Sequence, residues 1–322
     1  MATAFVTGAS SLLGNQVLDA LLADGWRVVA LLRPGRGAGG SDSRIQWVSA
    51  DITAWKNLRA VVPPAVDVVI HAAHNHSLWQ GDAEAQTRLN VFGTRHMVRA
   101  ALECRARRFV HTSSIMAYGL HSGTITEQTP PRAARSRINL IRSLAHAERE
   151  VRRGVRQGLD AVILNPAHIL GPDARIAWGR IMQLIRQRRI VAAPSGGGSF
   201  CHVRAVAHAH VQAAKKGQGG SNYLLGGVDI TYVKLLRLLG ERLRRPTLPW
   251  PAPSGLLRGY ARIEEIALPL LRLKPDVTRD MIEILSAHTY CKSRKAMEEL
   301  GYQPLSLDEM LQDCLPWARA QR

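Results

Sequence analysis

The chain has 322 residues, 46% of them hydrophobic and 21% charged, enough apolar matter for a sizeable core and not the composition of a disordered protein. Its net charge is +18, and 36 of the 43 basic residues are arginine, but they are scattered along helical patterns without interleaved aromatics, so no nucleic-acid partner is expected. Cys104, Cys201, Cys291 and Cys314 show no metal or redox spacing and no metal is expected. In chain order, short apolar runs predict strands at 4–6, 27–32, 45–48, 67–70, 107–112 and 161–164. Helical spacing predicts helices over 12–23, 84–102 and 137–157 between them. Alternating strands and helices imply an α/β fold with a doubly wound parallel sheet. After Gly171-Pro172 the texture turns to short helices and proline turns. We expect a nucleotide-binding domain over 1–171 and a smaller, mainly helical substrate lobe over 172–322, with 222–225 returned as a strand to the main sheet.

The first apolar run stops at once in a turn, with no basic leader before it, and no uninterrupted apolar stretch is long enough to span a bilayer. These features read as a cytoplasmic protein without a membrane partner. Oligomeric state is not legible.

Thr7-Gly8-Ala9-Ser10-Ser11-Leu12-Leu13-Gly14 follows the first strand and opens a helix. A glycine turn placed there lets backbone N–H groups and the positive helix end meet a pyrophosphate, the Rossmann arrangement. At the end of the second strand a carboxylate would select NAD, and this chain has Leu32-Arg33-Pro34-Gly35-Arg36 instead. Arg33 and Arg36 suit a 2′-phosphate, so NADP(H) is the expected cofactor.

The octet resembles the Thr-Gly-x-x-Gly-x-x-Gly motif of extended short-chain dehydrogenases/reductases, with Ser11 in place of the middle glycine. By that resemblance Thr7, Gly8, Ser10, Ser11, Leu12 and Leu13 bind the pyrophosphate. Asp51 and Ile52 lie at the adenine, and Ala72 and Ala73 pass under the cofactor. Pro166 and Ile169, in the loop Asn165-Pro166-Ala167-His168-Ile169, flank the nicotinamide, with Asn165 where relatives carry arginine. Thr112-Ser113-Ser114 resembles the segment that carries the active-site serine, placed here at Ser114.

In the family, a tyrosine exchanges the proton and a lysine four residues later lowers its pKa, both from one helix face. The matching helix reads Leu140-Ile141-Arg142-Ser143-Leu144-Ala145-His146-Ala147-Glu148, so both positions are leucine. No register shift rescues them, because no tyrosine occurs between Tyr118 and Tyr223 and no lysine between Lys56 and Lys215. Candidate replacements are Ser114 with His74 and His76, just past the Ala72-Ala73 turn, since histidine titrates in the useful range. Tyr118, Ser143 and His146 are weaker candidates.

A phenolic substrate offers a further route, since its own hydroxyl is the acid that tyrosine would be. Leu140 and Leu144 would then wall a flat ring system. The loss of both residues is similar to that in atypical angucyclinone ketoreductases. The resemblance implies an NADPH-dependent ketoreductase whose small-molecule partner is an aromatic, polyketide-like ketone. Alternatives are a non-catalytic NADP(H)-binding sensor or scaffold, and a nucleotide-sugar epimerase or dehydratase, whose chemistry also leans on the missing tyrosine.

Overall fold

The computed structural model describes residues 1–320 except 36, 38, 39, 41, 173–176, 191 and 248. The first half runs β1 (Thr3–Thr7), α1 (Leu12–Ala23), β2 (Arg27–Leu32), β3 (Ile45–Ser49), α2 (Trp55–Val61), β4 (Val68–His71) and α3 (Ala83–Thr87). It continues through α4 (Thr94–Glu103), β5 (Arg108–Thr112), β6 (Gly123–Ile125), α5 (Asn139–Arg156), β7 (Ala161–Pro166) and β8 (His168–Leu170). The second half adds α6 (Ala177–Arg186), β9 (Ala192–Ala193), β10 (Gly197–His202), α7 (Val203–Lys216), β11 (Asn222–Leu225) and β12 (Val228–Thr231). Last come α8 (Tyr232–Arg242), β13 (Trp250–Pro251), α9 (Ser254–Leu270), α10 (Arg279–Ser286), β14 (His288–Cys291), α11 (Arg294–Leu300) and α12 (Leu307–Ala320).

Seven parallel strands form the main sheet in the order β11-β7-β5-β4-β1-β2-β3. Successive strand residues point to opposite faces, and both faces are apolar because helices cover both. On one face Ala4, Val6, Val28 and Ile70 pack under α1, α7 and α11 through Val17, Leu21, Val206 and Leu300. On the other, Phe5, Val29, Val69 and Phe109 meet Leu58, Met97, Ala101 and Val151 of α2, α4 and α5. Each such side chain, fully buried, contributes about 1.5–3 kcal/mol. The chain leaves β1 for β2 and β3, then returns to β4 on the other side. That reversal opens a crevice beyond the carboxyl ends of β1 and β4, where a doubly wound sheet binds its ligand.

The expected helix over 84–102 is interrupted. Between α3 and α4 the backbone takes a wide turn over Arg88–Gly93 with five-residue hydrogen-bond spacing. Asn90 lies inside it, fully buried. Its side chain accepts from the Asn75 N–H (2.8 Å) and donates to the Asn75 carbonyl (3.1 Å) and Ser143 Oγ (3.0 Å). Its carbonyl is taken by Thr94 Oγ1 at 2.6 Å. The bulge aims one polar side chain at the 75–77 loop, the use such bulges commonly have.

Beside the main sheet lie α6, α8, α9, α10 and α12, together with a second sheet ordered β12-β10-β14-β6 and with β8 on β10. This is more strand than the sequence suggested, because the pieces are three to six residues long and β10 opens on glycines. The two halves exchange strands: β11 completes the main sheet, and β6 enters the second.

Candidate active site

A cleft of about 750 Å³ lies on the crevice and is lined by Thr7, Gly8, Ser10, Ser11, Leu12, Arg33, Asp51, Ile52, Ala72, Ala73 and His74, among others. Most of the expected cofactor contacts thus meet in one place. Gly8 sits at φ +74°, and a Cβ there would stand 2.6 Å from the Ala72 backbone. A Cβ on Gly14 would stand 2.0 Å from the Gly8 carbonyl oxygen, so helix and turn approach as closely as they do only with glycine. Ser11, where the family has its middle glycine, needs no such freedom: its φ is −82°. The hydroxyl turns back to cap α1, accepting from the Gly14 N–H at 2.9 Å, and the N–H groups of Leu12 and Leu13 have no partner among the described residues. The cradle fits a pyrophosphate.

Arg33 is exposed at the cleft edge with no ion pair among the described residues, while Arg36 lies outside them. Asp51 closes its own turn by accepting from the Thr53 N–H and hydroxyl. Leu13, Pro166, Ile169, Ser114 and His76 are not among the cleft-lining residues. The Leu13 side chain packs against the core beneath α1, and Ile169 packs there from β8. Not foreseen were Glu84 and Arg88, which also line the cleft; their four-residue spacing is the signal that was available.

Ser114 ends the β5 segment. Its Oγ accepts from the Met116 N–H at 3.2 Å, which leaves the hydroxyl proton uncommitted and able to donate. Behind it, buried Glu148 accepts from Ser113 Oγ (2.7 Å), Asn165 Nδ2 (2.7 Å) and Asn222 Nδ2 (3.2 Å). Asn165 also donates to the Ser114 carbonyl at 3.0 Å, so the residue replacing the family arginine ties β7 to the serine loop.

Leu140 and Leu144 do not form an open wall. They are 4% and 0% exposed, sealed with Ala117, Ile138, Ile141 and Ile284 and roofed by Leu78 and Met116. The expectation that they present a flat surface to a substrate is therefore corrected: α5 uses them as core.

The histidines require a second correction. His71 and His111 end neighbouring strands at the same register, and the His74 ring stands 5.4 Å and 5.1 Å from theirs. Burial and the neighbouring rings hold His74 and His111 well below the ordinary histidine pKa, and burial alone lowers His71 to about 3. His76 has solvent contact, yet the protein around it lowers its pKa as well. Near neutral pH none of them is an imidazolium, and a neutral imidazole is a weak acid. The other candidates fare no better. Burial raises the pKa of Tyr118, which lines a different cavity with Glu127 and Arg149. Ser143 is buried and donates to the Leu140 carbonyl, and burial lowers His146.

Nitrogens of His71, His74 and His111 lie within 4.8 Å of one another, a grouping no sequence spacing betrayed. His71 spends both of its nitrogens on Thr7 and Thr94 hydroxyls, at 2.7 and 3.0 Å. A metal would have to displace one of these bonds, so the set does not fit a three-histidine centre as it stands.

The profile of the NAD dependent epimerase/dehydratase family matches residues 4–226. The chain belongs to that family. It is 30% identical to a putative dihydroflavonol 4-reductase of Synechocystis over 97% of this chain and 93% of that one. It is 29% identical to the 4-hydroxy-2-methyl-3-oxo-4-farnesyl-3,4-dihydroquinoline-1-oxide ketoreductase of Stigmatella aurantiaca, covering 92% and 91%. The crystal structure of gox2253 superimposes with a TM-score of 0.85 at 27% identity, over 99% and 98% of the two chains. These relatives place the chain in an oxidoreductase family with a nicotinamide cofactor, on the Rossmann-type fold expected.

Proposed function

We propose that the chain is an NADPH-dependent ketoreductase acting on an aromatic, polyketide-like ketone, with the proton supplied by the substrate's own hydroxyl. The observation that carries this reading is that Ser114, two residues beyond β5, keeps a free hydroxyl proton while every candidate protein acid is neutral, buried or replaced by leucine. Arg33 at the cleft edge, with no carboxylate at the end of β2, supports NADPH over NADH. The names of the relatives support carbonyl reduction. The reading is similar to that for the atypical angucyclinone ketoreductase of simocyclinone biosynthesis.

NADPH, when bound, supplies the hydride. The chain's part is to orient the carbonyl by a hydrogen bond from Ser114. The alkoxide takes the proton of a neighbouring phenol, and the phenolate recovers one from water, so the net change is one ketone, one NADPH and one proton giving alcohol and NADP⁺.

The test is an NADPH-oxidation assay on an aromatic ketone with a neighbouring phenol and on its methyl ether. Turnover of the phenol and loss of at least ~100-fold for the ether is expected; equal rates overturn the proton route. Cofactor binding without turnover across such ketones favours instead a non-catalytic NADP(H) sensor, the reading that the leucine pair also permits.

A further inference from the structure

Among the described residues, eight of the eleven large hydrophobic side chains that stand exposed fall between residues 250 and 273. They are Trp250, Leu256, Tyr260, Ile263, Ile266 and Leu270, followed by Leu271 and Leu273 after the helix. On α9 they recur at spacings of three and four and so share one stripe. The opposite side, with buried Ala261 and half-buried Leu257, Glu264, Glu265 and Leu268, packs on the body of the lobe. A surface helix ordinarily turns its polar face outward; α9 turns an apolar face both ways. Ile263 is 66% exposed and Leu270 81%, so among the described residues nothing covers the outer stripe.

Charge decides what covers it. Both acids of α9 are engaged within the chain: Glu264 accepts from the Asp276 and Val277 N–H groups and from the Tyr260 hydroxyl, and Glu265 pairs with Arg279. Around the stripe stand exposed Arg258, Arg262 and Arg272. None of these three arginines is in an ion pair among the described residues. A twofold contact between two copies would bring two such arginine-flanked patches together, on chains that each carry +18. The partner must offer a negative surface with an apolar interior beneath it. An anionic bilayer does so, and Trp250 and Tyr260, each with an apolar body and a polar end, suit its interface.

We infer that α9 docks the protein, lying flat, on an anionic lipid surface. No helix of the described residues is long and apolar enough to cross a membrane, so the contact is peripheral. The expectation of no membrane partner is revised accordingly. Lys274, just past the stripe, bonds Asp82, the residue after the cleft-lining Gly81, at 2.9 Å and lies over the Trp79 ring. The inference does not depend on which reaction the cleft performs.

The test is flotation of the full chain with vesicles of phosphatidylcholine alone or with one quarter phosphatidylglycerol, at low and high salt. Binding to the anionic vesicles, weakened by salt, is expected. Ile263→Glu with Ile266→Glu should lower it by at least about tenfold, as should Arg258→Glu with Arg262→Glu. Both positions are exposed, so an unchanged melting temperature is expected and is measured alongside. No binding to anionic vesicles overturns the inference. So does equal binding of native and Ile263→Glu/Ile266→Glu protein, which assigns the attraction to net charge alone. A solution dimer that the same pair dissociates would give the stripe to a second copy and overturn it likewise.

Discussion

On the proposed reading cofactor choice turns on Arg33, which among the described residues is the charged group at the end of β2 lining the cleft. A guanidinium meeting a 2′-phosphate makes a charge-assisted contact that a bare ribose hydroxyl does not. Arg33→Ala should weaken NADPH about 10- to 100-fold and NADH much less, measured by fluorescence titration of both; equal losses would contradict the assignment. A second prediction concerns the histidines. His71, His111 and His210 are fully buried, and their folded pKa values lie below the unfolded value of about 6.5. The unfolded chain therefore binds more protons below that pH. Stability is complete above it and falls with acid, for His71 down to about pH 3. Each such group steepens the loss by about 1.4 kcal/mol per pH unit. Neither nitrogen of His111 has a partner, so His111→Phe removes one titration and breaks no bond. Urea unfolding of this variant at pH 7 and pH 5 should show a shallower acid loss than the native chain. An unchanged slope would mean that His111 is not held neutral.

At the scale of elements, α5 explains why the familiar acid cannot simply be restored. Its inner face carries Leu140, Ile141, Leu144, Ala147 and Glu148, apolar toward the serine turn and acidic only at the Ser113-Asn165-Asn222 junction. Leu144 has no exposed surface. Leu144→Lys would place an ammonium among the sealed apolar side chains of this face and should cost about 3 kcal/mol, whereas Leu140→Tyr adds bulk at about 1–3 kcal/mol. Thermal melts separate the two, and the double substitution is expected to lose stability without gaining turnover. A gain in rate would show that the helix retains room for the pair. The interrupted α3–α4 segment makes a related point. Its apolar spacing predicts helix, and helix it largely is, but buried Asn90 and its bonds to the 75–77 loop set the wide turn.

Across the whole molecule the two halves are interleaved rather than strung together. Helix α7 covers one face of the main sheet and β11 completes its edge, both from beyond residue 171. A chain ended at 171 would bare that face, so it should fail to give a sharp melt and should expose apolar surface to a dye. A cooperative transition in such a chain would show the first half to be self-sufficient.

The sequence by itself determined the parallel sheet, the glycine turn and its place after β1, the arginine where NAD enzymes keep an acid, and the absence of the tyrosine and lysine. These are local facts of residue type and spacing, fixed by backbone sterics, strand and helix periods and charge. Tertiary structure decided the rest, because burial and proximity are properties of the packed chain. Periodicity could not say that Leu140 and Leu144 are sealed rather than open. Nor could it say that His71, His74 and His111 converge and lose their charge, or that Ser11 turns its hydroxyl onto its own helix. It also could not say that α9, apolar on two sides, finds a partner within the chain for only one of them.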